Sequence, residues 1–151
     1  MQQLITYFQK NGGYAKLTEL RRQGFQTKSI SRLYKEGILE KLKPGLYKLA
    51  DSEVTSGLVD VSKSMPKGII ALISALAYHE LTTFNPSKVH VAIPNNTKAP
   101  ALYYPPVIIH YFRPKMYNSG IEKVIIQGHP VNIYNKEKTV CDMFRYRNQL
   151  G

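Results

Sequence analysis

The segment QTKSISRLYKEGILEKLKPGLYKL, residues 26–49, holds the side chains with the clearest chemical purpose. On a helical wheel Lys28, Ser31, Arg32 and Lys35 fall on one side, and Ile30, Leu33 and Tyr34 on the other. Cations neutralise phosphates, while Gln26, Thr27, Ser31 and Arg32 have side chains that can reach the edges of base pairs. Lys41, Lys43 and Lys48 follow on a hairpin pattern that would arm the same surface against a phosphate backbone. The chemistry implied is recognition of a polyanion, with the nine residues Gln26, Thr27, Lys28, Ser31, Arg32, Lys35, Lys41, Lys43 and Lys48 as candidate DNA contacts.

Bond-making chemistry has far less support. His79, His90, His110 and His129 lie on separate segments without the nearby cysteines or carboxylates of a metal signature, so they read as structural histidines. Cys141 lacks an activating motif and reads as a buried, inert thiol. No phosphate-binding glycine loop and no nucleophile elbow occurs. Glu137, Lys138 and Asp142 do not reproduce a spaced nuclease pattern. The expectation is a non-enzyme without metal or cofactor. Tyr103, Tyr104, Tyr111 and Phe112 form an aromatic cluster that suits a protein interface, with base stacking as the other use of such rings.

The elements that must position the cations are local and short. Leu4, Ile5 and Phe8 mark an amphipathic helix stopped by Gly12-Gly13, and Leu17 and Leu20 mark a second, with Gly24 at its end. Thr27 stands where an N-cap would open the third helix, and Gly37 can close it. Pro44-Gly45 suits a type II turn between two short strands. Three helices and a basic hairpin are the parts of a winged helix-turn-helix.

Charge is concentrated in the same place. The 151 residues carry 21 Lys+Arg against 10 Asp+Glu, a net +11. Residues 1–50 hold ten of the cations and three of the acids, a net +7, leaving +4 for the rest. The single cysteine rules out an internal disulfide and fits a reducing cytoplasm. No apolar run is long enough for a membrane span, and no signal peptide is visible.

The remaining hundred residues read as a second, mixed unit. A linker helix is expected over 51–66, with Val54, Leu58 and Val61 on one face. IIALISALAYHEL reads as a buried helix with Ile69, Leu72, Ile73, Leu76 and Ala77 in its stripe. SKVHVAIP, VIIHYF, EKVIIQ and PVNIY read as strands, and NKEKTVCDMFRYRNQ as a closing helix with Val140, Met143 and Phe144 inward. The expected fold class is α+β: a winged helix-turn-helix over 1–50, the linker helix, and an α+β domain over 67–151.

The order of these pieces resembles a known family. GILEKLKPGLYKLAD, then IIALISALAYHELTTFNPSKVHVAIP, then VIIQGHPVNIYNKEKTVCDMFRY, is similar to the AbiEi-type antitoxins. These are the transcriptional-regulator half of type IV abortive-infection toxin–antitoxin pairs. The resemblance implies a DNA-binding repressor of its own operon, acting on inverted or direct repeats in promoter DNA. It also implies a second domain that counters a nucleotidyltransferase-like toxin, by contact or indirectly. The signature residues Ser74, His79, Glu137, Thr139 and Asp142 read as structural. Further helix is expected of the family beyond the position of Gly151. The rival expectation is a protein-interaction module whose basic helix meets an acidic protein instead of DNA.

Overall fold

Leu4 and Phe8 stand one turn apart on the first helix, α1 (Gln2–Lys10), and both are fully buried. The computed structural model describes residues 2–150, and of residues 147–150 the backbone alone. Its contacts define two units, Met1–Thr55 with Pro100–Tyr104, and Ser56–Ala99 with Pro105–Gly151. Together they make an α+β protein, as the alternation of helical and strand periods requires.

In the first unit α1 is followed by β1 (Tyr14–Lys16), α2 (Leu17–Arg22), α3 (Thr27–Lys35), β2 (Leu39–Lys43) and β3 (Leu46–Leu49). The three strands are antiparallel in the order β1-β3-β2, with Ala15 opposite Tyr47 and Leu39 opposite Leu49. β1 has no counterpart in the sequence reading, because three residues show no period. Phe25 N–H donates to Leu20 O at 3.0 Å across a left-handed Gly24 (φ 91°), a cap that turns the chain sharply from α2 into α3. Leu4, Phe8, Leu20, Ile30, Leu33, Leu39 and Leu49 close the core between helices and sheet. Each large aliphatic so buried contributes about 1.5–3 kcal/mol.

The second unit comprises α4 (Gly57–Ser64), β4 (Ile69–Ile70), α5 (Leu72–Tyr78), β5 (Val89–Pro94), β6 (Val107–Phe112), α6 (Pro114–Asn118), β7 (Ile121–Ile126), β8 (His129–Tyr134) and α7 (Lys136–Leu150). Its sheet runs β6-β5-β4-β8-β7, parallel at β5–β6 and β4–β8 and antiparallel elsewhere. The helix expected over 51–66 is shorter, Gly57–Ser64, and leaves Val54 outside it; the Ser56 hydroxyl caps it by accepting from Leu58 N–H at 3.2 Å.

The expectations for the start of α5 and for the inward side of α7 do not hold. Ile69 and Ile70 are not part of a helix: they form β4, the central strand, paired with Ala92 and Val91 of β5. Leu72 at φ 52° breaks the chain direction, so the helix begins only there. On α7 the inward residues are Thr139 and Asp142, with Met143 half-buried, whereas Val140 and Phe144 are exposed. Polar groups can face inward because each is bonded. Thr139 Oγ1 donates to Tyr134 O at 3.2 Å, and Asp142 pairs with Lys138, whose ammonium lies 4.2 Å from the centre of the Tyr134 ring.

Candidate nucleic-acid interface

The apolar stripe of α3 decides which side of it meets solvent. Ile30 and Leu33 are fully buried, so the opposite side carries Lys28, Arg32 and Lys35, all exposed, with Ser31 half-buried between them. Gln26 and Thr27 are exposed at the start of the helix. Gln26, not Thr27, occupies the N-cap position, extended at φ −81° and ψ 141°, and Thr27 is already helical. The tight turn after Gly24 places the chain one residue earlier than the cap preference of threonine suggested. Arg32 Nε stands 3.5 Å from Glu36 Oε1 in a pair open to water, an interaction of about 0–1 kcal/mol that a phosphate could displace.

Tyr34 is 43 % exposed rather than part of the core. Its ring meets that of Tyr47 edge-on, with centroids 6.3 Å apart, and Lys41 holds its ammonium 4.6 Å from the Tyr34 centroid. The hairpin cation is thus fixed against the helix. At the hairpin tip Gly45 takes φ 80°, the left-handed conformation that the third position of a type II turn demands. Its carbonyl accepts from Leu17 N–H at 2.8 Å, which ties the tip to the start of α2.

Lys43 is half-buried, and its ammonium pKa lies below the ordinary lysine value, chiefly through burial and then through the neighbouring charge of Lys16. Lys16 was not among the candidate contacts; only its charge, with no pattern around it, could have signalled it. Lys48 leaves the surface set. It lies on β3, the middle strand, is 7 % exposed, and places its ammonium 5.6 Å from the Tyr14 ring centre.

The register of β2 against β3 slips at Leu42, because Lys41 faces Tyr47 and Lys43 faces Leu46. The extra residue of such a bulge has no ladder partner. Leu42 is fully buried, and an orphaned carbonyl there would cost about 1–3 kcal/mol. Its oxygen accepts instead from Tyr103 N–H at 2.7 Å and Tyr104 N–H at 3.3 Å. The expected aromatic cluster is therefore divided. Tyr103 and Tyr104 sit exposed in the first unit, whereas Phe112 is buried in the second and Tyr111 exposed there.

Ser74 and three of the histidines make their bonds within the second unit. Ser74 Oγ accepts from His90 N–H at 2.8 Å, and His79 Nε2 lies 2.8 Å from Tyr134 O. His90 Nδ1 and His110 Nε2 come within 2.9 Å, a pairing invisible in sequence. Cys141 is exposed, contrary to expectation, because it follows Val140 on the outer side of α7. Among the described residues no group of three or more His, Cys, Asp or Glu could hold a metal ion, and no helix is long and apolar enough to cross a membrane.

A cationic helix side next to a cationic hairpin, on a small three-helix core, is an arrangement whose chemistry suits a polyanion. Residues 2–50, α1 through β3, match the family described as "Transcriptional regulator, AbiEi antitoxin". The resemblance seen in the sequence thus holds over this segment, and that family consists of regulatory antitoxins of abortive-infection systems rather than enzymes. No curated protein matches the chain.

Proposed function

We propose that the chain is a sequence-specific DNA-binding repressor, with residues 1–50 as a winged helix-turn-helix. In this reading α3 enters the major groove, Lys28 and Lys35 grip phosphates, Arg32 and Ser31 read base edges, and Lys41 and Lys43 on the β2–β3 wing hold the flanking backbone. The single observation that carries the reading is the sorting of α3, with Ile30 and Leu33 wholly buried and Lys28, Arg32 and Lys35 wholly outward. The element order, the strand order β1-β3-β2 and the family match of the same residues support it.

The finer function is autoregulation of a type IV toxin–antitoxin operon in the cytoplasm. The repressor binds repeats in its own promoter, and the second unit counters a nucleotidyltransferase-like toxin. The chain itself performs no catalysis. The test is an anisotropy titration with the upstream promoter duplex and a scrambled duplex of equal length, at two salt concentrations. Tight binding that prefers the promoter at both salts is expected. Equal, weak binding to both duplexes that vanishes at higher salt would leave only a general anion patch and would favour an acidic protein partner.

A further inference from the structure

We propose that Tyr103 and Tyr104 form a second, uncharged contact to the DNA backbone, attached to the wing from far along the chain. The inference rests on the DNA-binding function proposed for the first unit. Pro100–Tyr104 lies between β5 and β6 in sequence, yet it belongs to the first unit. It is not loosely placed there. Two successive amide N–H groups converge on one carbonyl, Leu42 O, at 2.7 and 3.3 Å. Leu42 lies on the edge strand β2, at the bulge that leaves it outside the paired positions of the β2–β3 ladder.

The bulge lies between Lys41 and Lys43, the two half-buried cations of the proposed wing. Lys16 adds a third charge close enough to depress Lys43. Glu40 is the one acid on β2, and it faces Lys48 across the pair. The tyrosines are therefore anchored beside a cluster of cations. Both remain well exposed, at 61 % and 53 %, although two large rings would gain by burial. A phenol at such a place can donate its O–H to a phosphate oxygen and lay its ring against a sugar. Neither act depends on sequence, so the contact would strengthen grip without choosing the site. Double-stranded DNA is the occupant, because the tyrosines are anchored at Leu42, directly between the wing cations Lys41 and Lys43.

The test uses the full chain and the same two duplexes. The anchor consists of backbone N–H groups, so Y103A/Y104A keeps it, and its thermal melt should match the parent. Roughly tenfold weaker binding to promoter and scrambled duplex alike is expected, about the effect of losing one or two hydrogen bonds. The slope of log affinity against log salt should be unchanged, since no cation is lost, whereas K43A should reduce it by about one. If the double alanine variant fails to fold, Y103F and Y104F carry the test, each expected to bind both duplexes a few-fold more weakly. Folded variants with parental affinity would overturn the inference. So would a reduced salt slope, which would mean that the tyrosines act only by placing Lys41 and Lys43. Failure of the parent protein to bind either duplex would instead overturn the DNA reading itself.

Discussion

The ammonium of Lys41 lies 4.6 Å from the centre of the Tyr34 ring, and so joins β2 to the outer flank of α3. Lys41 also stands 5.5 Å from the Tyr47 ring centre, so the cation has an aromatic partner on its own sheet and another on the helix. Helix and hairpin in the proposed DNA surface are thereby held in one arrangement before any ligand arrives, which lowers the ordering cost of binding. The partly exposed cation–π contact should contribute about 0.5–1 kcal/mol. A double-mutant cycle of Tyr34→Leu and Lys41→Met, followed by urea denaturation, should return a coupling energy of that size. Strict additivity of the two substitutions would show that the contact adds nothing.

Arg32 and Lys43 should fail in different ways. Arg32→Ala is expected to weaken promoter binding by about 1–3 kcal/mol and to relax base preference, as the loss of a base-reading arginine does. Lys43→Ala should weaken binding to all duplexes and lower the salt slope. Competition of each variant between promoter and scrambled duplex separates the two. An Arg32→Ala protein with unchanged promoter preference would remove that residue from the readout.

Glu36 holds Arg32 in a solvent-exposed pair across one helical turn. Glu36→Gln should free the guanidinium and remove a negative charge from the surface, so promoter affinity should rise a few-fold at low salt. The gain should shrink as salt screens the charge. Anisotropy at two salt concentrations checks both points, and weaker binding by the variant would show that the pair instead pre-positions Arg32.

Acid should weaken the second unit through its histidine pair. Burial, then the adjacent His90, pushes the pKa of His110 down to about 4, and burial also lowers that of His90. The unfolded chain, titrating near 6.5, binds protons that the folded protein refuses. Stability is therefore full above pH 6.5 and declines as pH falls toward 4. With His110 only partly shielded from water, the loss for this residue should be on the order of 1 kcal/mol. Urea midpoints at pH 7 and pH 5 should differ less for His110→Gln than for the parent. An equal difference would clear the pair of the effect.

Two backbone positions give opposite expectations. Glu80 takes φ 60° at the end of α5, where Leu81 N–H donates to Leu76 O at 2.9 Å. Glycine suits that cap, so Glu80→Gly should stabilise by about 0.5–1 kcal/mol. A Cβ on Gly68 would come within 2.7 Å of Val91 Cγ2 and 3.1 Å of the Met65 carbonyl oxygen. Gly68→Ala should therefore destabilise by about 1–3 kcal/mol. Thermal melts of the two variants should move in opposite directions.

Much of the first unit is legible in the amino-acid sequence, because its signals are local. Gly24 and Gly37 end helices through bonds that span six residues, and the stripe of α3 is read from nine consecutive positions. Pro44-Gly45 specifies its turn by the conformations that those two residues favour. The second unit is harder to read. Ile69 and Ile70 continue the apolar period of the following helix, yet they form a strand because β5 and β8 stand on either side to pair with them. Val140 and Phe144 look like a core stripe, but the bonded pair Lys138–Asp142 takes the inward side.

The sequence by itself determined the α+β fold class, the charge of the N-terminal third and the sorting of α3, since helix period, turn chemistry and net charge depend on neighbours along the chain. Tertiary structure alone decided which cations stand free of the core and what joins them. Lys48 is one of the hairpin lysines in the sequence, but it falls on the middle strand and is covered. The charge of Lys16 is felt at Lys43, and Tyr103 and Tyr104 reach the bulge at Leu42, across gaps of 27 and about 60 residues. Such pairings depend on strand order and on which carbonyls the ladder leaves unbonded, and no local period encodes either.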